Sequence, residues 1–469
     1  MIMAKQETED FLKTGKGLVY FVGIGGISMS GLAEFLLSRG FRVAGSDRAS
    51  SPLTEHLEAL GANIFLTQEA RNLDRFPIDL LVYTAAIPGD HPELTHAREL
   101  NIPAIPRAEL LGAVMALFST SIAVAGTHGK TTTTSMLSEI LMASETDPTI
   151  ALGGILPSIG GNFRVGGEGY FLAEACEYKN SFLSFAPTIG IILNIDADHL
   201  DFFKDLADIR ASFRKFAANI PPRGTLIVST DVPEIDQFAE NLPCSLITVG
   251  EGGDYEAFDI SYDEYGCASF SVKSKGHEVR SCTIHVPGAH NVKNALAAIA
   301  ASDVLGLSDA AVQEGLSRFH GTNRRFQKKG EVPCEGGSFT VIDDYAHHPT
   351  EIAATIAAAK RYPHRKLWIA FQPHTYSRTK ALLTEFADAL AAADHVVLAD
   401  IYAARETDNL GISSADLARE ISARGTDCHH ISGFPEIEKF LRKNCMHNDL
   451  CITMGAGNIE DVGDHLVSQ

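Results

Sequence analysis

The sequence lacks the features that mark several large classes of protein. Its eight cysteines form no CxxC pair and show no His/Cys spacing of a zinc site, so neither a disulfide scaffold nor a zinc module is predicted. Residues 1–10 are polar and acidic, without the pattern of a secretory signal peptide. We therefore expect a cytoplasmic protein, because unpaired cysteines suit a reducing compartment.

Basic residues and long hydrophobic runs are also scarce. The chain has 39 Lys and Arg against 59 Asp and Glu, a net charge of −20, so we expect neither nucleic acid nor a membrane as a partner. Local basic residues can still bind an anionic small molecule. The uncharged stretch 110–126 is short for a transmembrane helix and is broken by Ser119, Thr120 and Ser121. A buried helix, a turn and a buried strand are favoured there.

Three segments of the chain alternate short apolar strands with helical stretches. This rhythm predicts parallel sheets covered by helices, and 469 residues suggest about three domains. We predict an α/β protein with domains at 1–118, 119–325 and 326–469. Residues 251–286 differ, because their alternating pattern predicts antiparallel strands. The other predicted strands are 18–22, 41–44, 80–84, 122–125, 170–173, 189–194, 339–342, 367–371, 395–398 and 450–453.

The strongest motif is the turn Gly126-Thr127-His128-Gly129-Lys130-Thr131, which follows strand 122–125 and precedes a helix. Backbone N–H groups at a glycine turn and a helix N-terminus bind phosphates. Lys130 would neutralise the terminal phosphates of a nucleotide, and the Thr131 hydroxyl would bind Mg²⁺. The spacing is about two residues shorter than the usual GxxxxGK[ST] loop. We interpret the segment, with Thr132 after it, as a variant phosphate-binding loop.

A first glycine run, Gly23-Ile24-Gly25-Gly26, follows strand 18–22, with Ser28 where a dinucleotide fingerprint has its third glycine. Asp47 follows the second strand and could contact a ribose hydroxyl. The pattern leaves three interpretations open. It suits a nicotinamide dinucleotide site, a nucleotide-diphosphate site, or glycines that only permit close packing.

An acidic residue and an imidazole follow two strands of the second segment. Glu174 ends strand 170–173, and His199 lies in the polar run 194–201 after the next strand. Ligands of parallel sheets bind beyond the carboxyl ends of the strands. Glu174 and His199 are therefore candidate Mg²⁺ ligands beside Thr131, since Mg²⁺ usually takes few protein ligands and keeps its waters.

Further polar residues suggest a cleft between domains. Asn291 and Asn294 share a helix face, and paired amides can bind the edge of an adenine. Arg324 and Arg325 stand at the junction before the third segment. Together with two polar turns they favour an inter-domain cleft with several cations. These turns, each at the end of a strand, are Asp343–Thr350 and Phe371–Arg378.

These motifs, in this order, resemble the Mur ligase family over essentially the whole chain. The pair GTHGKT and DDYAHHP is specific to that family, and the GIGG-x-x-MSG run favours its alanine-adding branch. The matching segments are GIGGISMSG at 23–31, GTHGKTTTT at 126–134, NIDADHLD at 194–201, HNVKNALAA at 290–298, GTNRRF at 321–326, DDYAHHPTE at 343–351 and FQPHTYSRT at 371–379.

The resemblance implies a Rossmann-like N-terminal domain for a UDP substrate, a central ATPase domain, and a Rossmann-like C-terminal domain for an amino acid. It implies ATP- and Mg²⁺-dependent ligation of L-alanine to UDP-N-acetylmuramate through an acyl phosphate. Lys130, Glu174, His199, Arg325 and His347 are the implied catalytic residues. The implied binding residues are Gly23, Gly25, Gly26, Ser28 and Asp47 for the UDP substrate, Gly126 to Thr132 with Asn291, Asn294 and Arg325 for ATP, Thr131, Glu174 and His199 for the metal, and Tyr345, His347 and Arg378 for alanine.

Two positions depart from the family's pattern. Thr375 stands where many members have Arg, so capture of the amino-acid carboxylate would rest on Arg378. Cys176 stands where many have Asp, which leaves the role of Glu177 open.

Three alternatives remain open. A sister ligase would add another amino acid or a recycled tripeptide, but the chain length and the GIGG run disfavour it. A nicotinamide-dependent dehydrogenase would leave the phosphate-binding loop and the third domain without a purpose. A non-catalytic nucleotide sensor would not need the full set of Lys130, Thr131, Glu174 and His199.

Overall fold

The computed structural model describes residues 3–84, 87–200, 202–274 and 278–468. They form three sheets that follow one another along the chain. The three-part α/β architecture predicted from the sequence is confirmed. Asp201, the last residue of the run 194–201, lies outside the described residues.

The first sheet is parallel and has the strand order β3-β2-β1-β4-β5. Its central strand β1 is buried along its whole length, as expected for a strand covered by helices on both faces. The strands are β1 (Leu18–Val22), β2 (Arg42–Ser46), β3 (Asn63–Phe65), β4 (Leu80–Tyr83) and β5 (Ala104–Pro106), and the α-helices are α1 (Lys5–Lys13), α2 (Ile27–Ser38), α3 (Pro52–Ala59), α4 (Pro92–Glu99) and α5 (Arg107–Met115).

The second sheet has the order β15-β14-β13-β12-β11-β10-β6-β9-β7-β8. Its centre is parallel, whereas β13, β14 and β15 pair antiparallel, which confirms the prediction for residues 251–286. The strands are β6 (Thr120–Ala125), β7 (Thr149–Leu156), β8 (Gly161–Arg164), β9 (Tyr170–Glu174), β10 (Ile189–Ile192), β11 (Thr225–Ser229), β12 (Ser245–Val249), β13 (Tyr255–Tyr262), β14 (Cys267–Ser274) and β15 (Arg280–Pro287), and the α-helices are α6 (Lys130–Ala143), α7 (Leu206–Ala218), α8 (Ile235–Ala239), α9 (Ala289–Val304) and α10 (Asp309–Arg318).

The third sheet has the order β16-β17-β21-β18-β19-β20. Among its described pairs, β16 with β17 is antiparallel and the others are parallel. The strands are β16 (Gln327–Cys334), β17 (Gly337–Asp344), β18 (Leu367–Phe371), β19 (His395–Leu398), β20 (Asp427–His430) and β21 (Leu450–Met454), and the α-helices are α11 (Pro349–Ala359), α12 (Tyr376–Ala381), α13 (Leu383–Leu390), α14 (Ser414–Ala423), α15 (Phe434–Asn444) and α16 (Glu460–Ser468).

The uncharged stretch 110–126 divides as the sequence predicts. Helix α5 ends at Met115, a turn follows, and β6 begins at Thr120. Both elements are buried, which explains the run of apolar residues. Across the described ranges, no helix is both long and apolar enough to cross a membrane.

The last glycine of the GIGGISMSG run lies at a close contact between the first helix after β1 and the second sheet. Gly31 lies on α2, and a Cβ atom there would overlap the ring of Phe163 on β8. This glycine therefore serves close packing between the first helix after β1 and the second sheet.

We expect Gly31→Val to lower the free energy of unfolding by about 1–3 kcal/mol, because an overpacked contact must shift backbone or ring. Thermal and urea unfolding measure the change. Gly169→Ala is the matched control, because a Cβ there meets nothing within 4 Å. Equal stability of the two variants would contradict the close approach of α2 and β8.

Candidate active site between the three sheets

The phosphate-binding turn lies between β6 and α6. Gly126 and Gly129 have φ angles of 144° and 83°, which glycine adopts without a steric penalty. The backbone N–H of His128 donates to Asn194 Oδ1 at 2.7 Å, and Asn194 Nδ2 donates to the His128 carbonyl at 3.0 Å. The side chain after β10 thus fixes the turn at the N-terminus of α6, where a helix dipole favours an anion.

Lys130 begins α6 and bends back over this turn. Its ammonium donates to the carbonyls of Gly126 at 2.5 Å and Thr127 at 3.0 Å, and to Glu177 Oε2 at 3.0 Å. Burial works to lower the pKa of Lys130, but the charge and hydrogen bond of Glu177, together with the nearby Cys176 and Glu174, outweigh it and raise the pKa. The ammonium is therefore charged, and Glu177, whose role the sequence left open, is its ion-pair partner.

Thr131, Glu174 and His199 line one cavity at the carboxyl ends of β9 and β10. Glu174 Oε1 accepts a hydrogen bond from the N–H of Gly153 at 2.8 Å, and the Thr131 hydroxyl also bonds Glu174. Burial raises the pKa of Glu174, although these hydrogen bonds oppose it. His199 Nε2 lies 3.8 Å from Glu177 Oε1.

Hydroxyl and carboxylate oxygens are donors that Mg²⁺ prefers, and the set therefore fits that ion. No three His, Cys, Asp or Glu side chains form a metal-binding group in the part of the chain that the structure describes. A cation here would thus take its remaining ligands from phosphate or water oxygens.

A second cavity, of about 440 Å³, brings together most residues predicted to bind ATP. Asn294 Nδ2 donates to Asn291 Oδ1 at 2.9 Å, and Asn291 Nδ2 donates to the Pro287 carbonyl at 2.8 Å. A Cβ atom at Gly129 would overlap Asn294 Oδ1, so α9 lies directly against the phosphate-binding turn. The predicted residues that line this cavity are His128, Gly129, Thr132, Asn291, Asn294 and Arg325.

His128 lies between two carboxylates, Asp196 of the second segment and Glu351 on α11 of the third. Its Nε2 lies 3.1 Å from Asp196 Oδ2 and its Nδ1 lies 3.2 Å from Glu351 Oε1. Neither contact has hydrogen-bond geometry, so the attraction is between charges. Burial favours the neutral ring, but the two carboxylates outweigh it and raise the pKa of His128 to about 9.

The third sheet contributes Tyr345 and His347 from the turn after β17. His347 Nδ1 donates to the Tyr345 carbonyl at 3.0 Å, which leaves Nε2 as the acceptor nitrogen. Burial lowers the pKa of His347 to about 4 although Glu351 works against it, so the ring is neutral. The guanidinium of Arg325 packs 5.4 Å from the centre of the Tyr345 ring and 3.9 Å from Glu351 Oε1.

Arg378 of α12 contacts the second sheet. Its Nη2 and Nε donate to Asp198 Oδ1 at 2.8 and 3.2 Å, and both side chains are almost buried. Burial works to raise the pKa of Asp198, but the charge of Arg378, together with the neighbouring His199, His347 and His348, holds it well below its usual range. These two residues line a further cavity of about 380 Å³ with Thr375.

The first glycine run forms a turn between β1 and α2. Gly25 donates its N–H to Asp47 Oδ2 at 2.8 Å, and Asp47 Oδ1 accepts from the N–H of Arg48 at 2.7 Å. Asp47, predicted to contact a ribose, therefore also holds the glycine turn in place. Gly23 has a φ of 80°, Gly26 caps α2, and Ser28 lines the cavity that contains Lys130.

Sequence analysis missed three charged residues that the structure brings into the site. Glu351 lies in the first turn of α11, four residues after His347, and its Oε2 lies 3.2 Å from His347 Nδ1. An acidic residue at the start of a predicted helix could have been noticed. Asp198 and Glu177 gave no such signal, because their partners Arg378 and Lys130 lie far away along the chain.

Fold and site together define a three-part α/β nucleotide-binding protein with a cleft between its sheets. Family models for the Mur ligase catalytic, middle and glutamate ligase domains match residues 18–119, 124–302 and 324–457. The chain belongs to the Mur ligase family.

The chain is similar to individual relatives over nearly its whole length. The chain is 56% identical to a UDP-N-acetylmuramate–L-alanine ligase of Lachnospira eligens, over 96% of this chain and 97% of that one. It is 53% identical to the protein of the same name in Agathobacter rectalis, over 96% and 98%. The crystal structure of the UDP-N-acetylmuramate-alanine ligase of Thermotoga maritima matches with a TM-score of 0.79 and 31% identity, over 96% and 98%.

We expect the charge on His128 to make stability depend on pH. Its pKa rises from about 6.5 in an unfolded chain to about 9, so its stabilising contribution is complete below about pH 6.5 and is lost as the pH rises through about 9. Glu351→Gln removes one carboxylate and should lower this pKa to about 7–8. NMR titration of the ring, assigned with His128→Asn, measures it. An unchanged pKa would show that Glu351 does not act on His128.

Proposed function

We propose that this protein is a cytoplasmic ligase that joins L-alanine to UDP-N-acetylmuramate with ATP and Mg²⁺, giving UDP-N-acetylmuramoyl-L-alanine, ADP and phosphate. The observation that carries the proposal is a cavity of about 780 Å³ with walls from all three sheets. Ser28 of the first, Lys130 of the second and His347 of the third line it. Three substrates bound on different sheets could meet there.

In the first step a muramoyl carboxylate oxygen attacks the γ-phosphorus of ATP, and the bond to the β,γ-bridging oxygen breaks to release ADP. Lys130 and Arg325 supply positive charge at this end of the cleft, which favours a transition state that spreads charge over the phosphoryl oxygens. Thr131, Glu174 and His199 would hold Mg²⁺, which would supply positive charge to offset part of the charge on the phosphates.

In the second step the neutral amine of alanine attacks the acyl carbon and phosphate leaves. His347 is the candidate for the base that takes the ammonium proton. Its ring is neutral and Nδ1 already donates to Tyr345, so Nε2 carries the available lone pair. Water would destroy the acyl phosphate, and the side chains that meet between the sheets, such as Glu351 with His128, help to exclude it.

We assign the remaining site residues to the three substrates in the same way. Asn291 and Asn294 lie beside the turn Gly126 to Thr132, where they would contact the adenine of ATP. Gly23, Gly25, Gly26, Ser28 and Asp47 would bind the UDP substrate, and Tyr345, His347 and Arg378 would bind alanine.

The test is phosphate release from the purified protein with ATP, Mg²⁺, UDP-N-acetylmuramate and one candidate amine at a time. We expect release with L-alanine and far less with D-glutamate or a tripeptide. Lys130→Ala should reduce turnover by at least about 10³-fold through the loss of a charge-stabilising contact. Release that prefers another amine would assign a sister activity, and NADH binding without phosphate release would favour a dehydrogenase.

Arg378 allows a sharper test of the amino-acid pocket. Arg378→Ala should raise the KM for L-alanine by about 30-fold or more, a loss of about 2–4 kcal/mol from a stranded carboxylate, with little change in the KM for ATP. Asp198→Asn is the control, because it removes the ion pair and keeps the guanidinium. If both variants raise the alanine KM equally, the ion pair rather than a contact with alanine is responsible.

A further inference from the structure

Five lysine and arginine side chains line the cavity of about 780 Å³. Four have an acidic residue within ion-pair distance. Arg107 is the exception among the described residues. The four pairs are Lys130 with Glu177, Arg324 with Asp343 and Glu460, Arg325 with Glu351, and Lys329 with Asp464.

The fold places Arg107 at the edge of this cavity. It is the first residue of α5 and follows β5 directly, at the carboxyl end of a parallel strand, where such sheets bind ligands. Helix α5 packs closely against the segment after β9, since a Cβ atom at Gly112 would overlap the backbone carbonyl of Ser184. The helix that carries Arg107 therefore lies beside the second sheet.

Arg107 and Lys130 line the same cavity, Arg107 from α5 after the first sheet and Lys130 from α6 in the second segment, and Cys176 lines it with them. Cys176 also precedes Glu177, the partner of Lys130. Arg107 therefore faces the phosphate-binding turn from the side of the first sheet.

A half-buried guanidinium without an acidic partner is unfavourable in the free protein. Burial lowers the pKa of Arg107, yet a guanidinium keeps its proton in proteins. An anion supplied by a ligand would compensate for the lost hydration. The planar fork of arginine matches a carboxylate through two parallel hydrogen bonds.

We propose that Arg107 binds the carboxylate of the acceptor substrate and holds it beside Lys130, where the γ-phosphate of ATP would lie. This inference rests on the proposed function and adds a residue to it. The glycine turn 23–26 and the N-terminus of α2 offer a separate site for the diphosphate of the same molecule. The carboxylate of this substrate must extend to the second sheet, because it reacts with ATP beside Lys130.

The test is calorimetric binding of UDP-N-acetylmuramate and of UDP-N-acetylglucosamine, which lacks the carboxylate, to the full chain without ATP or alanine. Arg107→Gln should weaken binding of UDP-N-acetylmuramate about tenfold or more and leave that of UDP-N-acetylglucosamine unchanged. Arg107→Lys keeps the charge but not the planar pair of N–H donors. Its affinity for UDP-N-acetylmuramate should therefore lie between those of the unmodified protein and Arg107→Gln. Arg71→Ala, at an exposed arginine of the same domain, should bind both like the unmodified protein.

An equal loss for both sugar nucleotides would overturn the proposal and place Arg107 at the diphosphate. Unchanged binding in a variant that unfolds at the normal temperature would overturn it too. Failure of the proposed function looks different. In that case the unmodified protein itself would not bind UDP-N-acetylmuramate or release phosphate with any amine.

Discussion

The contact between His128 and Glu351 links the phosphate-binding turn to the third sheet, and the geometry of the cleft depends on it. Glu351 lies within 3.2 Å of His128 Nδ1 and also 3.2 Å from His347 Nδ1. Despite burial, which would raise it, the pKa of Glu351 is held well below its usual range by His347 and His128. One carboxylate therefore contacts both a residue of the turn between β6 and α6 and a residue of the turn after β17.

A buried ion pair is often no more stabilising than apolar residues of similar volume in the same place, because the cost of removing water from both charges offsets much of their attraction. The pair Asp198 with Arg378 is a second example, again between the second and third sheets. Their contribution is better understood as geometric. Each holds a turn from one sheet against a turn from another, at distances that apolar packing alone would not specify.

Most of the fold could be predicted from the sequence because strands buried on both faces are continuous apolar runs, as in β1, β6 and β18. Short or half-exposed strands such as β3 and β8 lack that signal and were missed. The hairpin β7–β8 reaches the candidate site, because the N–H of Gly153 on β7 donates to Glu174. No local pattern indicates that contact, which depends on strand order in the sheet.

The residues of the candidate site likewise fall into those that a local sequence pattern indicates and those that it does not. Motif residues such as Lys130 and Thr131 are recognisable because glycine turns and phosphate chemistry require them in a fixed local order. Glu177 and Asp198 have no local requirement, since each is defined by a cation from a distant segment. Asp47 shows a third case, because the carboxylate predicted to contact a ribose accepts the N–H of Gly25 and so has a role in the turn itself.

The pairing of cations with carboxylates also bears on how the cleft handles its substrates. The chain carries a net charge of −20, yet ATP and a sugar nucleotide are anions, so a cleft with bare carboxylates would repel them. Glu177 and Glu351 are each neutralised by a basic partner that also faces the cleft. When phosphate oxygens approach Lys130, its ammonium can exchange the carbonyls of Gly126 and Thr127 for them while keeping Glu177. The cation is thus held in place by Glu177 before an anion arrives.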